Sequence, residues 1–304
     1  MTRSKRNKKL HKKTEKTNNK KTQPTSQVRS KKKRNKKPFI FIFLFFVIIL
    51  IGLTGYINTR VIIVHEHPVR LTNLPAENHG FKIVHFSDLH YGSSFRGQDI
   101  NTLVNKINRS KPDLIVFTGD LVRDTVSTTE EQLLIAGLKE LDPTIGTFAV
   151  LGETDDERAK YIFEQTDITL LNNRLEDIYS NSPKPIFLFG LTYAEPNFDE
   201  LVAEKEQIKD HVVIVLTHNP DNVKNIPNEI NVDLVLAGHS HNGQINIPFI
   251  DLWNRIDKNI IYSGPHHQVG STRLFTSSGI GTKYLPFRFG PNSSFNLYRL
   301  LQVN

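Results

Sequence analysis

Side chains that can hold a divalent metal recur along this chain in five short polar motifs. The motifs read SDLHYG, TGDLV, LGETD, THNP and GHSHNGQ, and the candidate ligands in them are Asp88, His90, Asp120, Glu153, His218, His239 and His241. Carboxylate oxygens and imidazole nitrogens together suit manganese, iron or zinc. His239 and His241 are the strongest single signal, because side chains two residues apart in an extended segment point to the same side. The motifs therefore predict a metal site, provided that the fold brings them together.

The pattern of secondary structure predicts that the five motifs converge. From about residue 60 onward, short β-branched runs alternate with amphipathic segments, as in an α/β sheet protein. Strands are predicted over residues 61–71, 81–87, 113–119, 147–152, 186–192, 211–218 and 232–239, and helices over 99–109, 129–141, 155–166 and 196–209. Each motif follows a predicted strand. Because the carboxyl ends of strands in such sheets gather at one edge, the seven candidate ligands would meet there.

Composition limits the chemistry further. The chain has 304 residues, of which 38% are apolar, enough for a large domain with a buried core. It contains no cysteine, which excludes disulfides, thiolate metal sites and cysteine nucleophiles. Any metal chemistry must therefore use oxygen and imidazole ligands.

Charge divides the chain into two unlike parts. Residues 1–37 carry 17 Lys or Arg and one Glu, a net charge of +16, whereas the remainder carries 22 Lys or Arg and 30 Asp or Glu, a net charge of −8. The low-complexity basic tail is predicted to be disordered and to contact anionic lipid headgroups. Binding of nucleic acid by the tail is the weaker alternative.

Residues 38–57, PFIFIFLFFVIILIGLTGYI, contain no charged side chain. About 20 apolar residues in a helix, at about 1.5 Å each, match a bilayer core of about 30 Å. We predict an uncleaved transmembrane helix, and the alternative is a cleaved signal peptide. The basic residues before the span favour a cytoplasmic N-terminus. The prediction is a single-pass protein of the cell membrane whose domain, residues 60–304, lies outside the cytoplasm.

The stretch FAVLGETDDE, residues 148–157, has two interpretations. Thr154 can serve as a helix N-cap, and acidic residues in a first helical turn complement the helix dipole. Glu153 can instead be a metal ligand. Both can hold at once, with Glu153 on a metal while Thr154, Asp155 and Asp156 start the following helix.

The series SDLH, GD, LGETD, TH and GHSH resembles the calcineurin-like metallophosphoesterase superfamily, and the ending SSGIGTKYLPFRFG resembles its membrane-anchored bacterial branch. The resemblance covers roughly residues 60–304. It implies a four-layer α-β-β-α sandwich and a phosphoester hydrolase with two divalent metals, Mn, Fe or Zn, at the sheet edge. Carried over by position, Asp88, His90 and His241 would hold the first metal, Asp120 would bridge both, and Glu153, His218 and His239 would hold the second.

One motif departs from the family pattern. Where the family usually reads Gly-Asn-His, this chain has Gly152, Glu153 and Thr154. Glu153 can replace an asparagine oxygen as a ligand, and Asp155 could lie just outside the ligands and support them. The family histidine is thought to protonate the leaving group, for which the pKa of a threonine hydroxyl is far too high. Losing a general acid commonly costs about 10² to 10⁴ in rate, and less when the leaving group is already good, as in a pyrophosphate.

The favoured hypothesis is a membrane-anchored, dimetal-dependent phosphoesterase that hydrolyses a phosphodiester, a phosphomonoester or a pyrophosphate, with a lipid-linked phosphate as one option. The alternative is a metal-binding protein with weak or no catalysis that binds phosphorylated ligands or partners, and Thr154 is its main support. A third option is a membrane tether in which the basic tail carries the function.

Other histidines are interpreted as structural or surface groups: His65, His67, His79, His85, His211, His266 and His267. Pro265, His266 and His267 are predicted to lie in a loop that could rim the site.

Overall fold

Buried strands and amphipathic helices alternate along the computed structural model, which describes residues 37–123, 126–246 and 260–303. The predicted basic tail, up to residue 36, lies outside the described residues. The chain divides into two units, Met1–Leu44 and Phe45–Asn304. The described part of the first unit is the start of one apolar helix. The second unit contains all the described strands.

The helices are α1 (Lys37–Arg60), α2 (Asp99–Arg109), α3 (Thr128–Lys139), α4 (Glu157–Glu164), α5 (Asp199–Ala203) and α6 (Lys205–Ile208). The strands are β1 (Ile63–Leu71), β2 (Lys82–Phe86), β3 (Leu114–Thr118), β4 (Gly146–Val150), β5 (Ile168–Leu170), β6 (Arg174–Ile178), β7 (Ile186–Leu191), β8 (Val213–Thr217), β9 (Leu234–Ala237), β10 (His266–Val269), β11 (Thr272–Thr276) and β12 (Ser294–Gln302). Short 3-10 helices lie at Ala76–Asn78 and Pro220–Asn225.

Helix α1 begins one residue before the predicted span and ends three residues after it. Among the described residues it is the one helix that is long and apolar enough to cross a membrane, from Phe39 to Arg60. Gly55 and Thr59, near its end, are its buried residues, and its large apolar side chains are exposed. An apolar surface of this kind is stable in lipid and costly in water.

The strands form two six-stranded sheets. The first has the order β1-β12-β2-β3-β4-β5 and the second the order β10-β11-β9-β8-β7-β6. Strands β2 to β5 run parallel in the first sheet, and β7, β8, β9 and β11 run parallel in the second. The loops that follow β2, β3 and β4 therefore leave one edge of the first sheet together, and those that follow β8 and β9 leave one edge of the second.

Three apolar layers lie between four layers of structure. Alternate strand residues point to opposite faces, so that Ile83 packs between the two sheets whereas Val84 packs against α2 and α3. The second sheet packs its outer face against α5 and α6 through residues such as Phe187 and Leu201. Because both faces of each sheet are covered, the central strands are continuous apolar runs. The predicted four-layer α-β-β-α fold is confirmed.

Some predicted elements differ from the structure. The helix predicted over 196–209 is two short helices that meet at Glu204, and they bury Leu201 and Ile208 respectively. The loop predicted around His266 and His267 is strand β10, which pairs with β11. Strands β5, β6, β10, β11 and β12 were not predicted, since they are short, lie at sheet edges or alternate with polar residues.

Candidate metal centre

The candidate ligands lie in loops at the carboxyl ends of strands from both sheets. Asp88 and His90 follow β2, Asp120 follows β3, Glu153 follows β4, His218 follows β8, and His239 with His241 follows β9. The packing of one sheet on the other brings these two sets of loops face to face. The chain segments involved are far apart in sequence, so the fold assembles the site.

A first group consists of Asp88, His90 and His241, whose ligand atoms all lie within 4.8 Å of one another. Nε2 of His90 is 3.2 Å from Nε2 of His241. Nε2 of His241 is 3.4 Å from Oδ1 of Asp88. All three residues are buried. Two nitrogens and one oxygen that commonly ligate metals therefore meet in the interior.

A second group consists of Asp88, Asp120 and His218, with the same spacing and burial. Oδ2 of Asp120 is 3.5 Å from Nε2 of His218. The same oxygen is 3.4 Å from Nε2 of His90 in the first group. Asp88 belongs to both groups and Asp120 reaches both, so two carboxylates lie between the candidate metal positions.

His239 and Glu153 lie further out. Nδ1 of His239 is 3.2 Å from Nε2 of His218, and Oε2 of Glu153 is 3.7 Å from Nδ1 of His239. Glu153 also accepts a hydrogen bond from the Tyr193 hydroxyl at 3.3 Å and pairs with Nζ of Lys283 at 2.5 Å. The side chain of Glu153 is 25% exposed. It therefore shares its charge between the histidines and a lysine.

The buried atoms of this cluster fit divalent cations. In the described part of the chain, Oδ2 of Asp120 and Nδ1 of His90 are buried without a hydrogen-bond partner, although Nε2 of His90 and Nε2 of His218 lie 3.4 Å and 3.5 Å from that oxygen. A divalent cation would satisfy the carboxylate and both imidazoles at once. Nδ1 of His218 donates to the carbonyl of Thr118 at 2.7 Å. Metal-binding histidines usually donate a hydrogen bond from one ring nitrogen and ligate the metal with the other. The bond made by Nδ1 therefore leaves Nε2 of His218 free to ligate.

Backbone strain is concentrated at the same residues. Among the described non-glycine residues with positive φ are five candidate ligands: Asp88, His90, Asp120, His239 and His241. The left-handed region is uncommon for such side chains and costs of order 1 kcal/mol each. Strain that is repeated at the ends of three strands indicates that the loops are shaped to aim side chains at a shared ligand.

Glycines let the two loops approach each other. Gly119, which precedes Asp120, has a φ of +88°. A Cβ built on it would lie 2.5 Å from the backbone nitrogen of Gly152 and 2.6 Å from Nδ1 of His218. A Cβ on Gly238 would lie 2.7 Å from Oδ2 of Asp88. Any larger residue at either position would push the ligands apart.

Burial and mutual charge shift the pKa values in opposite directions. Burial raises the pKa of Asp88 to about 7 and lowers that of His90 to about 4. Burial alone would raise the pKa of Asp120, but His218 and His90 hold it well below its usual value. Burial alone would lower the pKa of His218, but Asp120 and Asp88 raise it to about 10. Opposed shifts in one dry cluster are typical of functional sites.

A cavity of about 330 Å³ opens beside this cluster. It is lined by His90, Val122, Arg123, Glu153, Thr154, Lys283 and Tyr284. Both Arg123 and Lys283 line this space, and Arg123 donates to the backbone carbonyl of Lys283 at 2.5 Å. Sequence reasoning did not find Arg123, Tyr193 or Lys283, because lone charged or aromatic residues in loops carry no spacing signal.

Arg288 lies behind the first group and is fully buried. It donates to the carbonyls of Ser278 at 2.7 Å and Gly279 at 3.0 Å. It also donates to Nδ1 of His241 at 3.3 Å, which orients that ring. Burial lowers the pKa of Arg288 to about 9. Arg288 lies in the segment SSGIGTKYLPFRFG, whose resemblance to the family was noted, but its burial and its contact with His241 were not predicted.

The prediction that Thr154 caps the next helix is wrong. Helix α4 begins at Glu157, and Asp156 is its N-cap, accepting from the backbone nitrogen of Arg158. Asp155 accepts from the backbone nitrogens of Asp120 at 2.8 Å, Leu121 at 2.7 Å and Gly152 at 2.8 Å. One carboxylate thus ties the loop after β3 to the loop after β4.

Thr154 contributes its backbone rather than its side chain. Its nitrogen donates to Oδ1 of Asp120 at 2.9 Å, and the residue is exposed at the cavity. The residue at this point of the cavity wall is therefore a threonine, whose hydroxyl has too high a pKa to protonate a leaving group.

Comparison with known proteins agrees with this geometry. The chain is 29% identical over 262 residues to the metallophosphoesterase YkuE of Bacillus subtilis, covering 83% of this chain and 90% of that protein. It is 28% identical to a Helicobacter pylori metallophosphoesterase, covering 79% of this chain and 64% of that protein. A Bos taurus transmembrane protein with a metallophosphoesterase domain is 24% identical, covering 84% of this chain and 60% of that protein. The profile of the calcineurin-like phosphoesterases matches residues 81–243, and the chain belongs to that family.

Proposed function

We propose that this protein is a membrane-anchored, dimetal-dependent phosphoesterase. The observation that carries the proposal is the convergence of two buried ligand groups, one with Asp88, His90 and His241 and one with Asp88, Asp120 and His218. We assign Asp120 as the bridging ligand, and Glu153 and His239 as outer ligands of the second ion. The ions would be Mn, Fe or Zn, as mixed nitrogen and oxygen ligands favour.

If bound by these residues, two divalent ions would supply metal-assisted hydrolysis, in which water is activated as the nucleophile and charge on the phosphate is neutralised. The protein's own residues supply the rest. Lys283 and Arg123 face the cavity and can bind the phosphate oxygens. Asp155 fixes the loop of Asp120 through three backbone hydrogen bonds, so the bridging carboxylate is preorganised.

Substrate choice follows from the leaving group. With Thr154 in place of a histidine, protonation of the departing oxygen is weak. Esters with acidic leaving groups and pyrophosphates should therefore react, whereas simple alkyl phosphates should barely react. A phosphate that is already activated, such as one in a lipid-linked pyrophosphate, suits this chemistry.

Membrane anchoring is part of the proposal. Helix α1 is long and apolar enough to span a bilayer, and one relative is a transmembrane protein with a metallophosphoesterase domain. The basic residues before the span favour a single-pass orientation with a cytoplasmic N-terminus and an outer catalytic domain. The same residues would bind anionic headgroups. A lipid-linked substrate would then share the membrane with the enzyme.

The full chain, purified in mild detergent and supplied with Mn²⁺, Fe²⁺ or Zn²⁺, tests the activity. Its substrates would be bis-p-nitrophenyl phosphate, p-nitrophenyl phosphate and a pyrophosphate-linked lipid analogue. We expect metal-dependent turnover that disappears with EDTA and returns with metal. An inert protein that nevertheless holds close to two ions would overturn the catalytic proposal.

Anchoring is tested separately on cells whose walls have been opened. The protein should stay with membranes after a carbonate wash, and added protease should digest residues beyond Ile57. Protection of the domain would reverse the proposed orientation. Release of a shortened soluble product would indicate a signal peptide.

One observation favours a second function, a metal-bearing protein that binds phosphorylated ligands without cleaving them. Glu153 and Thr154 stand where the family usually has asparagine and histidine. In the structure Thr154 is exposed on the cavity wall, and Glu153 pairs with Lys283. Binding of inorganic phosphate to an inert, metal-loaded protein would support it. Turnover of any of the three substrates would exclude it.

A further inference from the structure

Four consecutive apolar residues are exposed beside the mouth of the cavity. The segment Tyr284 to Phe287 reads YLPF, and the exposed fractions are 55% for Tyr284, 40% for Leu285 and 38% for Phe287. Tyr284 lines the cavity together with Lys283. Single exposed apolar residues are ordinary, but a contiguous run at a site entrance marks an interaction surface. We name residues 284–287 the rim loop.

The backbone of the rim loop is held from the interior. Buried Gln244 donates to the carbonyls of Leu285 at 2.8 Å and Phe287 at 3.1 Å. Its Oε1 accepts from the nitrogen of Lys283 at 2.9 Å. Arg288, fully buried, fixes the other end of the loop. The loop is therefore a fixed shape whose apolar side chains are directed outward.

The rim loop is continuous with the end of α1. The nitrogen of Arg288 donates to the carbonyl of Gly55 at 3.1 Å. A Cβ built on Gly55 would lie 3.4 Å from Cβ of Phe287, an ordinary van der Waals distance, so the helix and the loop are in direct contact here. Ser293 adds a hydrogen bond from its nitrogen to the carbonyl of Asn58 at 3.1 Å. The end of α1 and the rim loop are therefore in direct contact, and both carry exposed apolar side chains.

The depth of this contact follows from the helix geometry. Gly55 is two residues before Ile57, where the predicted span ends, or about 3 Å along the axis at 1.5 Å per residue. A loop that packs there lies at the boundary between hydrocarbon and headgroups. Tyrosine is enriched at that boundary because its ring is apolar and its hydroxyl is polar. Arg60, at the helix end, is exposed and pairs with Asp99 at 3.2 Å, which places a polar pair just beyond the apolar span.

We propose that the rim loop rests in the interface of the same bilayer that α1 crosses, and that it holds the mouth of the metal site at headgroup depth. This inference rests on the proposed membrane anchoring. It narrows the substrate class to phosphates at the level of lipid headgroups, which could enter the cavity without leaving the membrane.

The absence of cysteine makes the test direct, because a single introduced cysteine carries the only label. Full-length Leu285→Cys, Ile51→Cys and Tyr179→Cys proteins would be labelled with an environment-sensitive fluorophore and reconstituted in phosphatidylcholine and phosphatidylglycerol vesicles. Ile51 is the reference within the span. Tyr179, 57% exposed, is the matched exposed residue elsewhere on the domain. Quenching by nitroxide lipids with shallow and deep labels reports the depth of each site.

We expect position 285 to be quenched by shallow nitroxides more than by deep ones, position 51 to be quenched by deep ones, and position 179 to be unquenched. Quenching at 51 but none at 285 would overturn the inference and leave the anchor intact. No quenching at 51 would remove the anchor and the inference together. A blue-shifted but unquenched label at 285 would indicate burial against a second copy of the chain and would also overturn it. Pro286→Cys repeats the measurement, and unchanged metal content shows that each variant is folded.

Discussion

The inner and outer parts of the candidate site differ in burial and in their match to the family. The inner part, Asp88, His90 and His241, is fully buried and keeps the family motif. The outer part departs from it, with Glu153 25% exposed and Thr154 exposed. Charges in a dry interior tolerate little change, because each needs its partners. Near solvent, water screens part of the charge of Glu153, and buried Lys283 compensates the rest, so a carboxylate can replace a neutral amide there.

The largest effect is expected at the carboxylates that join the two parts. Asp120→Ala should lose more metal than any other single ligand change, because Oδ2 of Asp120 lies within 3.5 Å of histidines in both groups. Elemental analysis should show a fall from close to two ions per chain to one or fewer, with loss of turnover. Asp88→Ala is the informative rival, since Asp88 belongs to both groups.

Asp142→Ala, at an exposed aspartate, is the control and should keep both ions. If Asp88→Ala loses more metal than Asp120→Ala, the bridging role belongs to Asp88. An unaltered Asp120→Ala protein would contradict the whole ligand assignment.

A large effect is also expected when the outer part is made to match the family. Glu153→Asn combined with Thr154→His should raise turnover most on the poorest leaving groups, by up to roughly 10²-fold, since it restores a general acid. Rates for a series of aryl diesters that differ in leaving-group pKa measure this, with metal content checked in each protein. Equal slopes for wild type and the double variant would show that another residue already protonates the leaving group.

Much of the inner part could be predicted from the sequence, and little of the outer part. Strand ends are visible as apolar runs, so the placement of Asp88 and Asp120 at one sheet edge follows from the alternation of elements. That His218 joins them depends on the packing of the second sheet on the first. Lys283 lies 130 residues from its partner Glu153, and no local pattern encodes such a contact. Arg288 was missed for the same reason, because burial of a charge depends on the carbonyls around it.

The helix around Thr154 shows a different limit. Thr154, Asp155 and Asp156 are all acceptable N-cap residues by type. The choice fell on Asp156, because the carboxylate of Asp155 is used by three backbone nitrogens of the metal loops. The local pattern indicated Thr154 as the N-cap, whereas the tertiary contacts of Asp155 leave Asp156 as the cap.

An intermediate effect is expected for the Lys283–Glu153 pair. Lys283→Met should raise KM for a phosphodiester about tenfold with little change in kcat, because a buried cation that binds phosphate before the reaction is lost. Glu153→Gln and the double variant complete a double-mutant cycle. The coupling free energy between Lys283 and Glu153 should be roughly 1 kcal/mol, because the partial exposure of Glu153 weakens their interaction.

Lys160→Met is the matched control, since Lys160 pairs with Glu157 at 2.6 Å in open solvent. Its KM should not change. If Lys283→Met leaves KM unaltered and lowers kcat instead, Lys283 acts on the transition state and the proposed binding role is wrong.

The smallest effect is expected at the side chain of Thr154. Its hydroxyl is exposed, and its contribution to the site is the backbone nitrogen that donates to Oδ1 of Asp120 at 2.9 Å. Thr154→Ala keeps that nitrogen, so turnover should stay within about twofold and the free energy of unfolding within about 0.5 kcal/mol. Thr154→Pro removes the donor and should lower metal content and turnover, since Asp120 loses a hydrogen bond to its charged form. Turnover of bis-p-nitrophenyl phosphate and elemental analysis compare the two variants. A Thr154→Ala protein as impaired as Thr154→Pro would show that the hydroxyl itself takes part in the reaction.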